Sequence, residues 1–467
     1  MKTHPALFAA AIGVALGCSR HANMGSQVGS GGHPDGGAPG TGGSNAGTGG
    51  VASTGSGGFP SATGGATATA SGGVTASGGA TASGGADAAA GNTGSGGAAA
   101  AGGAGGGPLQ PLGMNDVTIL APLPQPGAAA ILLNGTDLAD DGTPFVPRAL
   151  YDRLVTAAVT SVPLQPLDTS HALLQLVAVR FDLCDRHLPG PCPDSQDALL
   201  RLVFQPISAQ GSASDIGFHA FYTIHKDEVG AAIQSLRALA ALTTPGDGVL
   251  RVSAAFAGAN RDLYVAKVRE FVKHHGGEAR LIRLTMNVRN LNNAAFVWVL
   301  RGIEKKGDAF VDIPIAGSTE IFETVTLTGS SGFDVRPNAD TPVGLASAIS
   351  ETKFNAADGP AKRDYLGALS AADNPLTNTS ETVPCVACHV ATVVMNDRAS
   401  NASIDPLALP GRYTSTFDLS ITGGMAATTP TAIRALGYVG TQPLISQRVV
   451  NETAQVLMEL EQRFPGP

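Results

Sequence analysis

The chain has 467 residues, a formal charge of −8, 61 glycines and five cysteines. A chain of this length holds about three domains of roughly 150 residues each, but the glycines concentrate between residues 24 and 107, so the first quarter cannot bury a core. No segment gathers lysine and arginine into a cluster, which argues against nucleic acid or an anionic lipid surface as a partner.

The N-terminus reads as an export signal: Lys2 supplies a short positive start, and Ala6 to Leu16 is an apolar run too short to span a bilayer. The run ends in Ala15-Leu16-Gly17-Cys18. This ending resembles the lipobox of bacterial lipoproteins, with Ala15 standing where leucine is commonest. The resemblance implies cleavage before Cys18, lipidation of its thiol and attachment to a membrane through that lipid. Ser19 in the next position implies sorting to the outer membrane. Ordinary signal-peptidase cleavage nearby is the alternative. Residues 19–107 are Gly, Ala, Ser and Thr with almost no charge, and Thr-Ala-Ser-Gly-Gly recurs at 69, 75 and 81. Such a stretch has no apolar face to fold and is expected to be a disordered tether, with an end-to-end distance of roughly 50 Å on the scaling of flexible linkers.

Folded sequence starts near Pro108 and divides on composition at about Tyr365. Within 108–364, residues 117–124 and the runs LLQLVAVRFDLC, LLRLVFQPI and IGFHAFYTI have strand character, with Val177, Val179, Phe181 and Leu183 alternating onto one face. Helical patterns follow at about Lys226 to Leu242 and Leu263 to His274. Then RLIRLTMNV, AAFVWVLRGI, AFVDIPI and IFETVTLT return to strand. The expectation is an α+β domain of antiparallel hairpins in one or two sheets, a sandwich fitting the same spacing. Cys184 and Cys192 enclose turn signals between two strand runs, so a disulfide in an oxidising compartment is expected, with two free buried thiols as the alternative.

His219 and His225 share a face of one predicted strand, while His274 and His275 end a helix before Gly276 and Gly277, where the helix dipole and a glycine cap account for them. Position alone makes neither pair a ligand set. The acids between Asn134 and Gly142 lack the spacing of a calcium loop. Nucleophile-elbow, phosphate-loop, zinc-protease and dinucleotide motifs do not occur, and no catalytic residue is assigned.

Residues 365–467 contain the motif with the clearest chemistry, Cys385-Val386-Ala387-Cys388-His389. On one helical turn Cys385 and Cys388 project to the same side, with His389 beside them. The five residues resemble the attachment signature of c-type cytochromes, which implies thioether links from Cys385 and Cys388 to one haem and an iron bond from His389. A disulfide, a redox pair or a zinc site compete with that reading. No cysteine or histidine follows His389, so a fourth zinc ligand would have to come from elsewhere, and the polar LTNTSETVP before the motif does not read as the strand a redox pair would follow. A C-terminal amphipathic helix with Val449, Thr453, Val456 and Leu460 on one stripe completes what is expected to be a small, mainly helical haem c module.

Of the three methionines after His389, Met395 lies on the same helix and Met458 belongs to an apolar face, which leaves Met425, after Gly423 and Gly424, as the expected distal iron ligand. An upstream histidine such as His219, or an open position, is the alternative. The functional expectation is a cell-envelope lipoprotein carrying one haem c, moving electrons to or from a redox partner protein that the residues do not identify. A haem enzyme such as a peroxidase, and a non-catalytic surface lipoprotein in which the two cysteines form a staple, stand beside it.

Overall fold

The computed structural model describes residues 111–161, 171–185, 189–193, 196–243, 248–290, 296–328, 332–337, 345–379, 381–421 and 433–465. The export signal, Cys18, the tether and Met425 lie outside the described residues. A short helix α1 (Met114–Val117) leads into strand β1 (Thr118–Leu120), and helix α2 (Arg148–Ser161) precedes three long strands, β2 (Leu174–Asp182), β3 (Ala198–Pro206) and β4 (Ile216–Ile224). Helices α3 (Val229–Ala240) and α4 (Arg261–His275) follow, then β5 (Leu281–Asn290), β6 (Val297–Lys306), β7 (Ala309–Asp312), β8 (Phe322–Thr328) and β9 (Gly332–Arg336). The chain continues as α5 (Leu345–Ile349), α6 (Glu351–Ala356), α7 (Gly359–Ala372), α8 (Cys385–Asn401), a hairpin of β10 (Leu436–Val439) and β11 (Gln442–Ile445), and α9 (Gln447–Arg463).

The α+β expectation holds, and the first nine strands make one antiparallel sheet in the order β1-β2-β3-β4-β5-β6-β8-β9, with β7 also paired to β6. Its two faces differ because strand side chains alternate. One face is apolar. Phe204, Phe218 and Tyr222 meet Phe145 and Tyr151 there, with Tyr151 and Phe218 ring centroids 4.9 Å apart. The opposite face carries Arg180 and Asp182 on β2, Arg201 on β3, His219 on β4 and Arg283, Thr285 and Asn287 on β5, in a register that puts Arg201 opposite both Arg180 and Phe221, and His219 opposite Thr285. In an antiparallel sheet such a face ordinarily meets water. Here Arg180 is 2 % exposed and Asp182 5 %, because the C-terminal helices cover it.

Helix α9 lies over β1 and β2. Its stripe of Val449, Thr453, Val456 and Leu460 is buried as the periodicity predicts, and Thr453 hydrogen-bonds Thr118 on β1 at 2.7 Å. Helix α8 is held by a second core: Val386, Val390 and Val394 are fully buried with Trp298, Val325, Phe333, Leu345 and Leu366. Each such valine contributes about 1.5 to 3 kcal/mol relative to exposure. Gly96–Pro467 forms one compact unit, so the change of composition near Tyr365 marks a change of element type inside a shared core.

The first turn of α8 is tied to the sheet by Glu323 on β8, whose Oε2 accepts the Val386 N–H at 2.8 Å. Burial raises this carboxyl to about 8, outweighing the hydrogen bond that lowers it. Cys184 and Cys192 are joined as a disulfide, with Cα atoms 5.6 Å apart. β4 ends at Ile224, so His225 does not share a strand face with His219; it is exposed and 3.5 Å from Asp197. At the end of α4, Gly276 is the C-cap and Gly277 adopts φ +96°, His275 is buried, and His274 lies 3.4 Å from Asp140.

Four outcomes follow from this structure. Non-reducing peptide mapping of the exported protein should recover Cys184 and Cys192 as one linked pair, and replacing both should cost about 2 to 3 kcal/mol in the loop-entropy account; two alkylatable thiols would contradict it. Gly217→Ala would drive a Cβ into Nη1 of the buried Arg434 and to 2.9 Å from Asn287 Oδ1, so denaturant unfolding should show a loss of about 2 to 4 kcal/mol. Gly230→Ala, in open space on α3, should instead gain about 0.5 to 1 kcal/mol. For Glu323 the folded carboxyl holds its proton more tightly than the unfolded one, so its contribution is fully present below about pH 4.5 and is lost as pH rises through about 8. Glu323→Gln keeps the acceptor for Val386, and thermal melts should therefore match the parent near pH 4.5 and show the variant more stable above pH 8; an offset independent of pH would refute this.

Candidate functional site

Helix α8 turns its valines inward, which leaves Cys385, Cys388 and His389 partly buried on its other side, at i, i+3 and i+4. All three line a cavity of about 540 Å³ whose floor is the polar face of the sheet, including Arg201, His219 and Phe221. That volume falls within the range of small-molecule and cofactor sites. A second cavity of about 440 Å³ lies beyond α8, and Cys388 and His389 line it too, together with Asp373, Met395 and Tyr413. The sequence pattern placed the two thiols and the imidazole on one side of a helix, and the structure brings them to one cavity.

His389 is oriented by a single contact, from Nδ1 to the backbone carbonyl of Ile433. A carbonyl only accepts, so Nδ1 carries the proton and Nε2 is left with its lone pair. This is the arrangement in which an imidazole binds a metal through one nitrogen while donating from the other. Burial, against the pull of the Ile433 hydrogen bond, lowers the His389 imidazole to about 4, so it is neutral at pH 7. The Ile433 carbonyl is itself fixed through the next residue: Arg434 is fully buried and donates to Asn287 Oδ1 at 2.8 Å and to Asp215 at 3.0 Å. Asp215 also accepts the Trp298 indole N–H at 2.9 Å. Gly217 makes room for that guanidinium on β4.

Cys385 and Cys388 are free thiols. Burial pushes Cys388 up to about 11, and burial with the neighbouring Glu323 and Cys388 raises Cys385 further. Both therefore stay protonated at pH 7 while no metal is bound. Among the described residues, no group of three His, Cys, Asp or Glu side chains is placed to hold a metal ion.

The cavity floor interleaves arginines with carboxylates. Arg180, Arg201 and Arg448 share Asp182 and Glu452, the Arg201 contacts being 3.3 Å and 3.6 Å and the Arg448 contact 2.6 Å. Burial alone would raise Glu452, but the charges of Arg180, Arg448 and Arg201 outweigh it and hold the carboxyl well below its ordinary value. Phe221 lies under two guanidiniums, with Arg201 at 4.8 Å and Arg283 at 5.5 Å from the ring centroid.

Sequence reasoning missed this arginine floor and the Arg434–Asp215 anchor. The signals were present as Arg180 and Asp182, and Arg283, Thr285 and Asn287, at alternate positions of otherwise apolar strands, and as Gly217 inside a strand. Of the methionines, Met395 borders the second cavity, and Met458 is half-buried against the first core with Ser415 donating to its sulfur at 3.6 Å. No helix among the described residues is long and apolar enough to cross a membrane. Compared with protein-family models, with curated proteins and with solved structures, the chain matches none.

Proposed function

We propose that the chain is a cell-envelope protein that carries one covalently bound haem c in the cavity between α8 and the sheet and passes single electrons to and from a partner protein. The observation that supports this most directly is His389, with Nδ1 committed to the Ile433 carbonyl and Nε2 left with its lone pair, on a cavity that two free thiols also line. These residues fit the group. Each thiol would add across one vinyl group, sulfur bonding to one vinyl carbon and the thiol hydrogen passing to the other, so attachment consumes no oxidant. The protonated state that burial imposes on Cys385 and Cys388 retains the hydrogen for that addition.

A haem held here supplies a one-electron centre. The remaining work belongs to the chain: Ile433 and Arg434 hold the imidazole of His389 in one tautomer, and Val386 and Val390 keep its helix on the core. The lipobox-like Ala15 to Cys18 and the Gly-rich stretch that follows support attachment to a membrane through a lipid on Cys18, with the electron-carrying part held away from the surface on its tether. The Cys184–Cys192 disulfide agrees with an oxidising location outside the cytoplasm.

The test is to express the full chain with its export signal in a host that has haem-attachment machinery. The purified protein should gain the mass of one haem, show a Soret band, and keep peroxidase-type haem staining after denaturing electrophoresis. Replacing Cys385 and Cys388 together by serine should abolish the covalent stain. Exported protein with neither mass gain nor Soret band would remove the proposal.

A further inference from the structure

The same cavity holds a second imidazole. His219 projects from the middle of β4, opposite Val203 on β3 and Thr285 on β5, and lines the wall that faces Cys385, Cys388 and His389. It is 8 % exposed, and its Nε2 is buried with no hydrogen-bond partner among the described residues. A buried polar nitrogen left unpaired is destabilising, and the register could have placed an apolar residue here as it does at Val203. His219 and His389 are close enough for a charge on one to disfavour a charge on the other; burial, His389 and the arginines Arg201, Arg434 and Arg180 all keep His219 neutral. A buried imidazole nitrogen without a partner, on a cavity that two thiols and a second imidazole also line, is placed to bind a metal.

Resting on the haem reading above, we infer that His219 is the second axial ligand, on the face of the haem opposite His389, so that the iron is held by two imidazoles in a closed six-coordinate site. Met425, the ligand expected from sequence, follows two glycines outside the described residues. His219 by contrast comes from an interior strand of the sheet, with β3 on one side and β5 on the other. A ligand from a central strand does not swing away with a loop, so small molecules gain no ready access to the iron. The closed site suits electron transfer and opposes peroxidase chemistry, which requires an open sixth position.

The experiment uses the haem-loaded full-length protein. Electron paramagnetic resonance and near-infrared magnetic circular dichroism of the ferric wild type should report a low-spin iron with two nitrogen ligands and no sulfur-to-iron charge-transfer band, and the ferrous protein should not bind carbon monoxide. His219→Ala should convert the iron to a form that binds carbon monoxide stoichiometrically, and added imidazole should restore the low-spin spectrum. The wild-type spectra decide the question even where the variant does not fold. A sulfur charge-transfer band, or a five-coordinate wild-type iron that takes up carbon monoxide, would overturn His219 as ligand while leaving the haem reading intact; an unchanged spectrum in His219→Ala would do the same. Protein that carries no covalent haem would overturn both.

Discussion

A sheet whose second face carries arginines can be buried only where anions are supplied to it, and Glu452 on α9 meets that requirement. Its carboxylate reaches Arg180 on β2, Arg201 on β3 and Arg448 on its own helix. Removing an ion from water costs several kcal/mol, and deleting one partner of a buried pair costs about 3 to 5 kcal/mol because the other charge stays behind. Glu452 therefore does more than decorate α9. It fixes the rotation of that helix over the sheet, and the apolar stripe of Val449, Val456 and Leu460 then closes around a register already chosen by charge. Arg448 extends the tie, donating to the carbonyls of Ala372 at 2.9 Å and Asn378 at 2.8 Å, and so holds the end of α7 and the loop that leads into the Cys385 turn. The covering helices, and hence the cavity, follow from this network.

A second constraint acts on the other side of the site. The Ile433 carbonyl can orient His389 only if residues 433–436 are rigid, and that rigidity comes from the neighbouring side chain rather than from regular structure. Arg434 passes under β4 through the space left by Gly217, reaching Asn287 on β5 and Asp215 at the entrance to β4. Beyond it, Gln205 donates to the Tyr438 carbonyl at 2.8 Å and accepts the Tyr438 N–H at 2.6 Å, pinning the β10–β11 hairpin to β3. The imidazole on α8 is thus positioned from the sheet through a strap that belongs to neither, so a substitution at Asp215 or Gly217 acts on His389 without touching it.

Local pattern was a good guide to single elements and a poor one to how they cover each other. The strand runs of β2 and β3, the glycines after α4, and the stripe of α9 are properties of a few consecutive residues, and the structure agrees with them, although a register shift between Leu176 and Ala178 interrupts the alternation read in β2. Helix α7 was missed although Asp358 caps it, accepting from Ala361 N at 2.9 Å, and Pro360 sits in its first turn. Asp-Gly-Pro at this point reads equally well as a turn, and the sequence on either side has no strong stripe. The spacing of Cys385, Cys388 and His389 was legible because a helix turns neighbours in sequence into neighbours in space. His219 was visible as a residue but not as part of the site: it is 170 positions upstream of His389, and only strand order and the placement of α8 join them. The arginines were harder still, because a polar residue at every second position of a strand ordinarily signals water, and what removes the water is a helix more than 150 residues away.

The arginine floor also bears on the electron chemistry proposed for the cavity. Burial is the main cause that depresses the proton affinities of His219 and His389, and positive charge adds to it, from Arg201, Arg434 and Arg180 at His219 and from Arg434 at His389. A low-dielectric site penalises any net charge that is not paired. A centre that gains a positive charge on oxidation is therefore held more firmly in its reduced state by these groups, while two imidazole ligands favour the oxidised state relative to a methionine and an imidazole. The two influences oppose each other, and the carboxylates paired with these arginines, Asp182 and Glu452 at Arg201 and Asp215 at Arg434, moderate the first. If the proposed haem is bound, how completely Glu452 neutralises Arg180 and Arg201 would bear on its potential, so the ion network that holds the fold closed would also act on the chemistry inside it.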